Sequence, residues 1–196
     1  VRVLAALLLV GLCATARAQP AHDPLNPREV EAMRDSAQEP KKRVDLLLSF
    51  ARERVLAIER LRSAAKPGKD DASAIAELLT DLAALIDELD DNLAMYNGHS
   101  EDLRRPLQHV LDTESEFLKK LAALDQNATP VQKRRFAAAL EDASDSLKTS
   151  LEGARVMLAD QIAKKGVEKN SEKPDRHGSK PAEDRFRAGE PLPPGF

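Results

Sequence analysis

The chain has 196 residues, a formal net charge of −3, 32 % charged residues, 3 % aromatics and no tryptophan. That length allows one domain, or one domain with tails, and a composition led by Ala, Leu, Glu, Asp, Lys and Arg is that of long helices rather than of a sheet. A mildly acidic chain this poor in aromatics has neither the basic footprint nor the stacking platforms of a nucleic-acid binder, so no nucleic-acid partner is expected.

The first stretch, VRVLAALLLVGLCATARAQP, reads as an address label. Arg2 is followed by the apolar run Val3 to Leu12 and by Ala16-Arg17-Ala18, the small-x-small pattern of a signal-peptidase site, so residues 1–18 are expected to leave as a signal peptide cut after Ala18. The run is too short to span a bilayer, which needs about 20 apolar residues, so no stable membrane anchor is expected after cleavage. Cys13 is the single cysteine; Leu12 before it departs from the small residue that lipoprotein signals place there. Cys13 therefore leaves with the signal, and the remainder has no thiol for a disulfide. The localisation expected is periplasmic or secreted.

Residues 19–39 are expected to form a lead-in and a short helix, with Asn26 as cap, Pro27 at the first helical position and an end near Ala37. A long helix starts near Pro40, with Val44, Leu47, Ala51, Arg54, Ile58, Leu61 and Ala65 at alternating three- and four-residue spacing. Leu48 and Val55 widen its stripe. KPGKDD breaks it, and Asp71 is the expected next cap. Ile75, Leu79, Leu82, Ile86, Leu89, Leu93 and Tyr96 then form the cleanest heptad seam of the chain. NGHS ends that helix, with Ser100 as the expected cap of the next one.

The third long helix places Leu103, Leu107, Val110, Glu114, Phe117, Leu121 and Leu124 inward, with Pro106 near its first turn. Thr129-Pro130 opens a fourth, with Phe136, Leu140, Ala143, Leu147, Leu151, Ala154, Leu158 and Ile162 inward and Gly166 as its stop. Residues 166–196, rich in charge, proline and glycine without apolar period, are expected to be a disordered tail. The pattern predicts an all-α protein: an antiparallel up-down-up-down four-helix bundle over residues 40–165, with a short extra N-terminal helix. The alternative assembly is a coiled-coil hairpin that completes its core as a homodimer.

Two seam positions are charged. Arg54 and Glu114 fall about halfway along the first and third long helices, at similar heights if those helices run parallel. One reading is a buried polar layer that fixes register or lines a ligand site. The other turns both charges outward while Val55, Leu111 and Leu118 enter the core. Metal binding by Glu-x-x-His repeats is not expected, because Pro106 stands three before His109 and no second motif exists. DELDD, Asp87 to Asp91, reads as a solvated face. No nucleophile motif or phosphate loop appears, so neither an enzyme nor a cofactor is expected. The extended EPLPPGF end offers Phe196 for recognition as a peptide terminus.

The signal, the helical composition and DDNLAMY, residues 90–96, give the core a resemblance to uncharacterised exported bacterial helical-bundle proteins. Small helical periplasmic chaperones are also similar in outline, but their Leu-Thr-x-x-Gln repeats are missing. The expectation is a non-enzymatic exported adaptor or scaffold that binds an envelope protein. A holdase-type envelope chaperone and a small-ligand or metal-binding bundle are the alternatives.

Overall fold

The computed structural model describes residues 23–63, 71–99 and 101–171, with side chains to residue 166. The signal segment, Ser100 and residues 172–196, including Phe196, lie outside the described residues. Within them the protein is all-helical: α1 (Pro27–Asp35), α2 (Pro40–Ser63), α3 (Asp71–Gly98), α4 (Arg104–Asn127) and α5 (Pro130–Ser171). No described helix is long and apolar enough to cross a membrane.

Local chemistry explains the helix starts. Asn26 accepts from the amides of Arg28 and Glu29 at 3.0 and 3.1 Å, while Glu29 accepts from the Asn26 amide at 2.8 Å. This reciprocal box occupies amides that have no partner inside the helix. Thr129 and Gln132 repeat the arrangement at α5: the Thr129 amide donates to Gln132 Oε1 at 2.9 Å, and the Gln132 amide donates to Thr129 Oγ1 at 3.3 Å. Asp71 is the first helical residue of α3 rather than its cap. The residue capping α4 is Leu103, whose side chain cannot cap; its amide donates to Gln161 Oε1 on α5 at 2.9 Å instead.

The apolar stripes meet as their spacing requires. All seven α3 seam residues are buried, and so are Leu107, Val110, Phe117, Leu121 and Leu124 of α4. α3 packs against α2 and α5, α4 packs against α5, and α2 meets α4 more lightly. Polar contacts give the directions. Arg43–Glu88 and Arg54–Asp81 link α2 to α3 with one number rising as the other falls, so these helices are antiparallel. Arg52–Thr113 and Glu59–Lys120 rise together, so α2 and α4 run parallel. Asp90–Ser150 and Asn97–Gln161 show the same for α3 and α5.

Neighbours in sequence are therefore not always neighbours in space. Among the described residues α3 and α4 do not pack on each other, although only a few residues separate them in the chain. Their connection passes over the end of the helices, where Gln161 holds it. Gln161 Nε2 donates to Asn97 Oδ1 at 3.1 Å and to the Glu101 carbonyl at 2.8 Å, while its Oε1 accepts from Leu103. Leu103 itself is fully buried beneath this clamp.

Two expectations for α5 fail. Gly166 does not end the helix, which continues to Ser171. One glycine weakens a helix by about 1 kcal/mol relative to alanine, and no proline follows until Pro174, so nothing forces a stop there. Ile162 does not point into a core: it is 57 % exposed and lies on an open groove opposite the polar first turns of α4.

Phe117 is 1 % exposed and Val156 54 %. Phe117→Ala is expected to lower the unfolding free energy by about 3–5 kcal/mol through lost burial and the cavity left behind. Val156→Ala is expected to change it by less than about 0.5 kcal/mol. Urea denaturation of both variants checks the core placement; equal effects would contradict it.

Candidate functional site: buried polar clusters among the helices

Arg54 and Glu114 stand at comparable heights, since Arg52 on α2 reaches Thr113 Oγ1 on α4 at 3.3 Å. They do not meet. Each is the centre of a separate cluster, so the structure forms neither a shared Arg54–Glu114 layer nor two outward-facing charges. Helix rotation is the reason: Arg54 is turned toward α1 and α3, Glu114 toward α5.

Arg54 grips Glu29 with both ends of its guanidinium, Nη1 to Oε1 at 2.6 Å and Nη2 to Oε2 at 2.7 Å. Nη2 also donates to the Pro24 carbonyl, and Nε lies 3.6 Å from Asp81 Oδ2 on α3. The fork matches the planar carboxylate, which makes such bidentate pairs strong. Glu29 thus has two tasks, closing the capping box of α1 and docking α1 on α2. Burial pushes its pKa up, but the hydrogen bonds from Arg54 and the Asn26 amide outweigh burial and hold the carboxyl below its ordinary range. Arg54 is held more strongly protonated by the Glu29 hydrogen bond, against the opposing effect of burial. Sequence spacing marked Arg54 as unusual, and the structure makes it the anchor of the N-terminal helix.

Glu114 is different in kind. It is 0 % exposed, and no lysine or arginine pairs with it among the described residues. Its Oε1 lies 2.9 Å from Ser150 Oγ on α5, and the same hydroxyl lies 2.6 Å from Asp90 Oδ1 on α3. Glu114 Oε2 is buried without a hydrogen-bond partner. Burial raises the Glu114 pKa to about 8; the Ser150 hydrogen bond opposes this and the Asp90 charge adds to it. Burial also raises Asp90, against its bond from Ser150, with Asp87 and Asp91 repelling its charge. A carboxyl removed from water without a cation is favoured in its neutral form.

Asp90 and Ser150 are functional-site candidates that sequence reasoning did not single out. Asp90 was hidden in DELDD, where an acidic run suggests a solvated face. Ser150 did carry a signal: Ala143, Leu147, Ser150 and Ala154 follow the four-three-four spacing, and all four are buried.

The remaining expected features are scattered. His109 is at the surface with Nδ1 3.1 Å from Asp45 Oδ1, and His99 closes the end of α3. Among the described residues no group of three or more His, Cys, Asp or Glu could hold a metal ion. Leu158 and Ile162 of α5 form one wall of an open groove of about 820 Å³, whose other wall carries Arg105 and His109 of α4 with Lys41 beside them. Comparison with protein-family profiles, with curated proteins and with solved structures finds no match to this chain.

The Arg54–Glu29 pair yields a test. Arg54→Met leaves a buried carboxylate alone and is expected to lower stability by about 3–5 kcal/mol, whereas Arg54→Met with Glu29→Met is expected to recover most of that loss. Because the folded pKa of Glu29 is depressed, its contribution is full above the unfolded value of 4.5 and is lost as pH falls through the folded one. Denaturant melts of wild type and both variants across the acid range check the coupling; an additive double variant would show that the two residues act independently.

Proposed function

We propose that this is an exported, periplasmic or secreted, non-enzymatic protein whose helices α2 to α5 form an up-down-up-down four-helix bundle. In this reading the bundle serves as a protein-binding adaptor or scaffold in the cell envelope. The cut after Ala18 belongs to this proposal, as does recognition of the tail ending in Phe196.

The observation that supports a binding role most directly is the exposed end of α5. A helix of 42 residues outreaches its partners, and Ile162, with more than half its surface in water, stands beside Leu158 in the groove rimmed by Lys41, Arg105, Asp102 and Asp112. An apolar floor rimmed by charges of both signs, Lys41 and Arg105 with Asp102 and Asp112, suits an amphipathic protein segment, since apolar contact gives affinity and charge gives orientation.

In vivo crosslinking of the tagged full chain in its own envelope tests this. One or two stoichiometric partners are expected, with capture lost in Ile162→Glu while thermal melting stays unchanged. Capture of the same partners by Ile162→Glu would remove the groove from the proposal. A broad set of unfolded clients would replace the adaptor with a holdase. Mass determination of the purified exported chain checks the cut after Ala18.

A further inference from the structure

The contacts around Ser150 pose a problem of proton counting. A serine hydroxyl has one proton to donate, and an ionised carboxylate can only accept. Ser150 Oγ stands within hydrogen-bond distance of two carboxyl groups, Asp90 at 2.6 Å and Glu114 at 2.9 Å. If both were ionised, one of these contacts would set lone pair against lone pair. It would do so in the interior, with no lysine or arginine paired to either acid among the described residues. A second proton is required, and it must sit on a carboxyl.

The geometry says which one. A separation of 2.6 Å is that of a charge-assisted O–H···O⁻ bond, whereas 2.9 Å is in the range of a neutral pair. Asp90 is part-exposed and keeps some contact with water; Glu114 has none. A neutral carbonyl without a partner at Glu114 Oε2 is tolerable in a core, whereas a carboxylate oxygen there is not.

We propose that Asp90, Ser150 and Glu114 form a buried proton-binding site in which Glu114, as a carboxylic acid, donates to Ser150 and Ser150 donates to ionised Asp90, and that release of this proton loosens α4 at its lightly packed seam with α2. The exit runs along the same bonds. Ser150 takes the Glu114 proton as it passes its own to Asp90, whose carboxyl then gives it to solvent. What remains is two carboxylates on one hydroxyl.

The surroundings offer no relief. α3 contributes Asp87 and Asp91 near Asp90, both negative. α5 contributes the hydroxyl of Ser150. From α2, Arg52 is engaged with Thr113, the residue before Glu114. α1 packs on α2 alone. α4 packs against α5, but it has no packing on α3 and only light packing on α2, so its α2 side is the seam that can open. Of the pairs that cross the α2–α4 seam, Lys120–Glu59 is part-buried, and His109–Asp45 is exposed and holds it weakly. Opening that seam lets water reach the Glu114 carboxylate.

The sign of the pH dependence follows. The closed state binds the proton more tightly than the open state, so its advantage is full below pH 4.5, falls as pH rises and is gone above about 8. The test is an NMR titration of the full chain labelled at the glutamate side-chain carboxyls, with Glu114 assigned through the backbone, alongside amide exchange in α4. Glu114 is expected to show a protonated carboxyl at neutral pH and to titrate near pH 8. The α4 protection factors are expected to fall by up to about tenfold per pH unit across that window and then level off. In Glu114→Gln, whose amide can still donate to Ser150, they are expected to stay flat. A Glu114 carboxyl already ionised at neutral pH would overturn the proposal, and this wild-type measurement stands even if the variant fails to fold. Equal pH dependence in wild type and Glu114→Gln would overturn the coupling to α4.

Discussion

A helix with one apolar stripe has to be covered by its neighbours, and α3 is the helix on which the others depend for that cover. Its seam from Ile75 to Tyr96 is continuous and fully inward. It meets α2 on one flank and α5 on the other, antiparallel to the first and parallel to the second. Once α3 is shared in this way, α4 can be covered only by α5 and, lightly, by α2. The link between α3 and α4 must then cross over the helix ends, and the Gln161 clamp and the buried Leu103 are what that crossing requires of the sequence.

The two charged seam positions show how position within such a framework decides the behaviour of a buried charge. Arg54 lies where α1 can reach it, so the charge is matched by Glu29 and Asp81 and serves to attach an extra helix. Glu114 lies where α4 faces α5, with no cation paired to it among the described residues, and its Oε1 meets the Ser150 hydroxyl. A paired charge of the first kind holds fast over the neutral range. A carboxyl of the second kind makes the interior answer to the medium, because its stable form depends on proton supply. A compartment whose pH follows that outside the cell would impose such changes directly.

Much of the framework was legible in the residues. Asn26-Pro27, Thr129-Pro130 and the seam of α3 are local signals, and local signals report which residues start a helix and which face turns inward. They do not report which helix lies opposite. That is why Arg54 and Glu114 were placed at matching heights and yet could be imagined as partners: the heptad fixes height and face to within a fraction of a turn, and that fraction sends one to α1 and the other to α5. Ser150 could have been found by its spacing, whereas Asp90 could not, because an acidic run looks the same whether one member bends inward or none does. The end of α5 was misread for a related reason. Ile162 continues the apolar rhythm of its own helix, but burial also needs an apolar neighbour opposite, and there α4 presents Arg105, Gln108 and His109.

The parallel pairing of like helices also shapes the order in which the chain can acquire its structure. Polar contacts between the α2–α3 half and the α4–α5 half join residues 60 to 64 positions apart, as in Arg52–Thr113, Asp90–Ser150 and Asn97–Gln161. Each half can find its own antiparallel partner over a short loop, which is rapid. Docking the halves closes a loop several times longer and gains little until several of these distant contacts form together. The late event in folding is therefore the meeting of two preformed helical pairs, and the Glu114–Ser150–Asp90 cluster spans that joint.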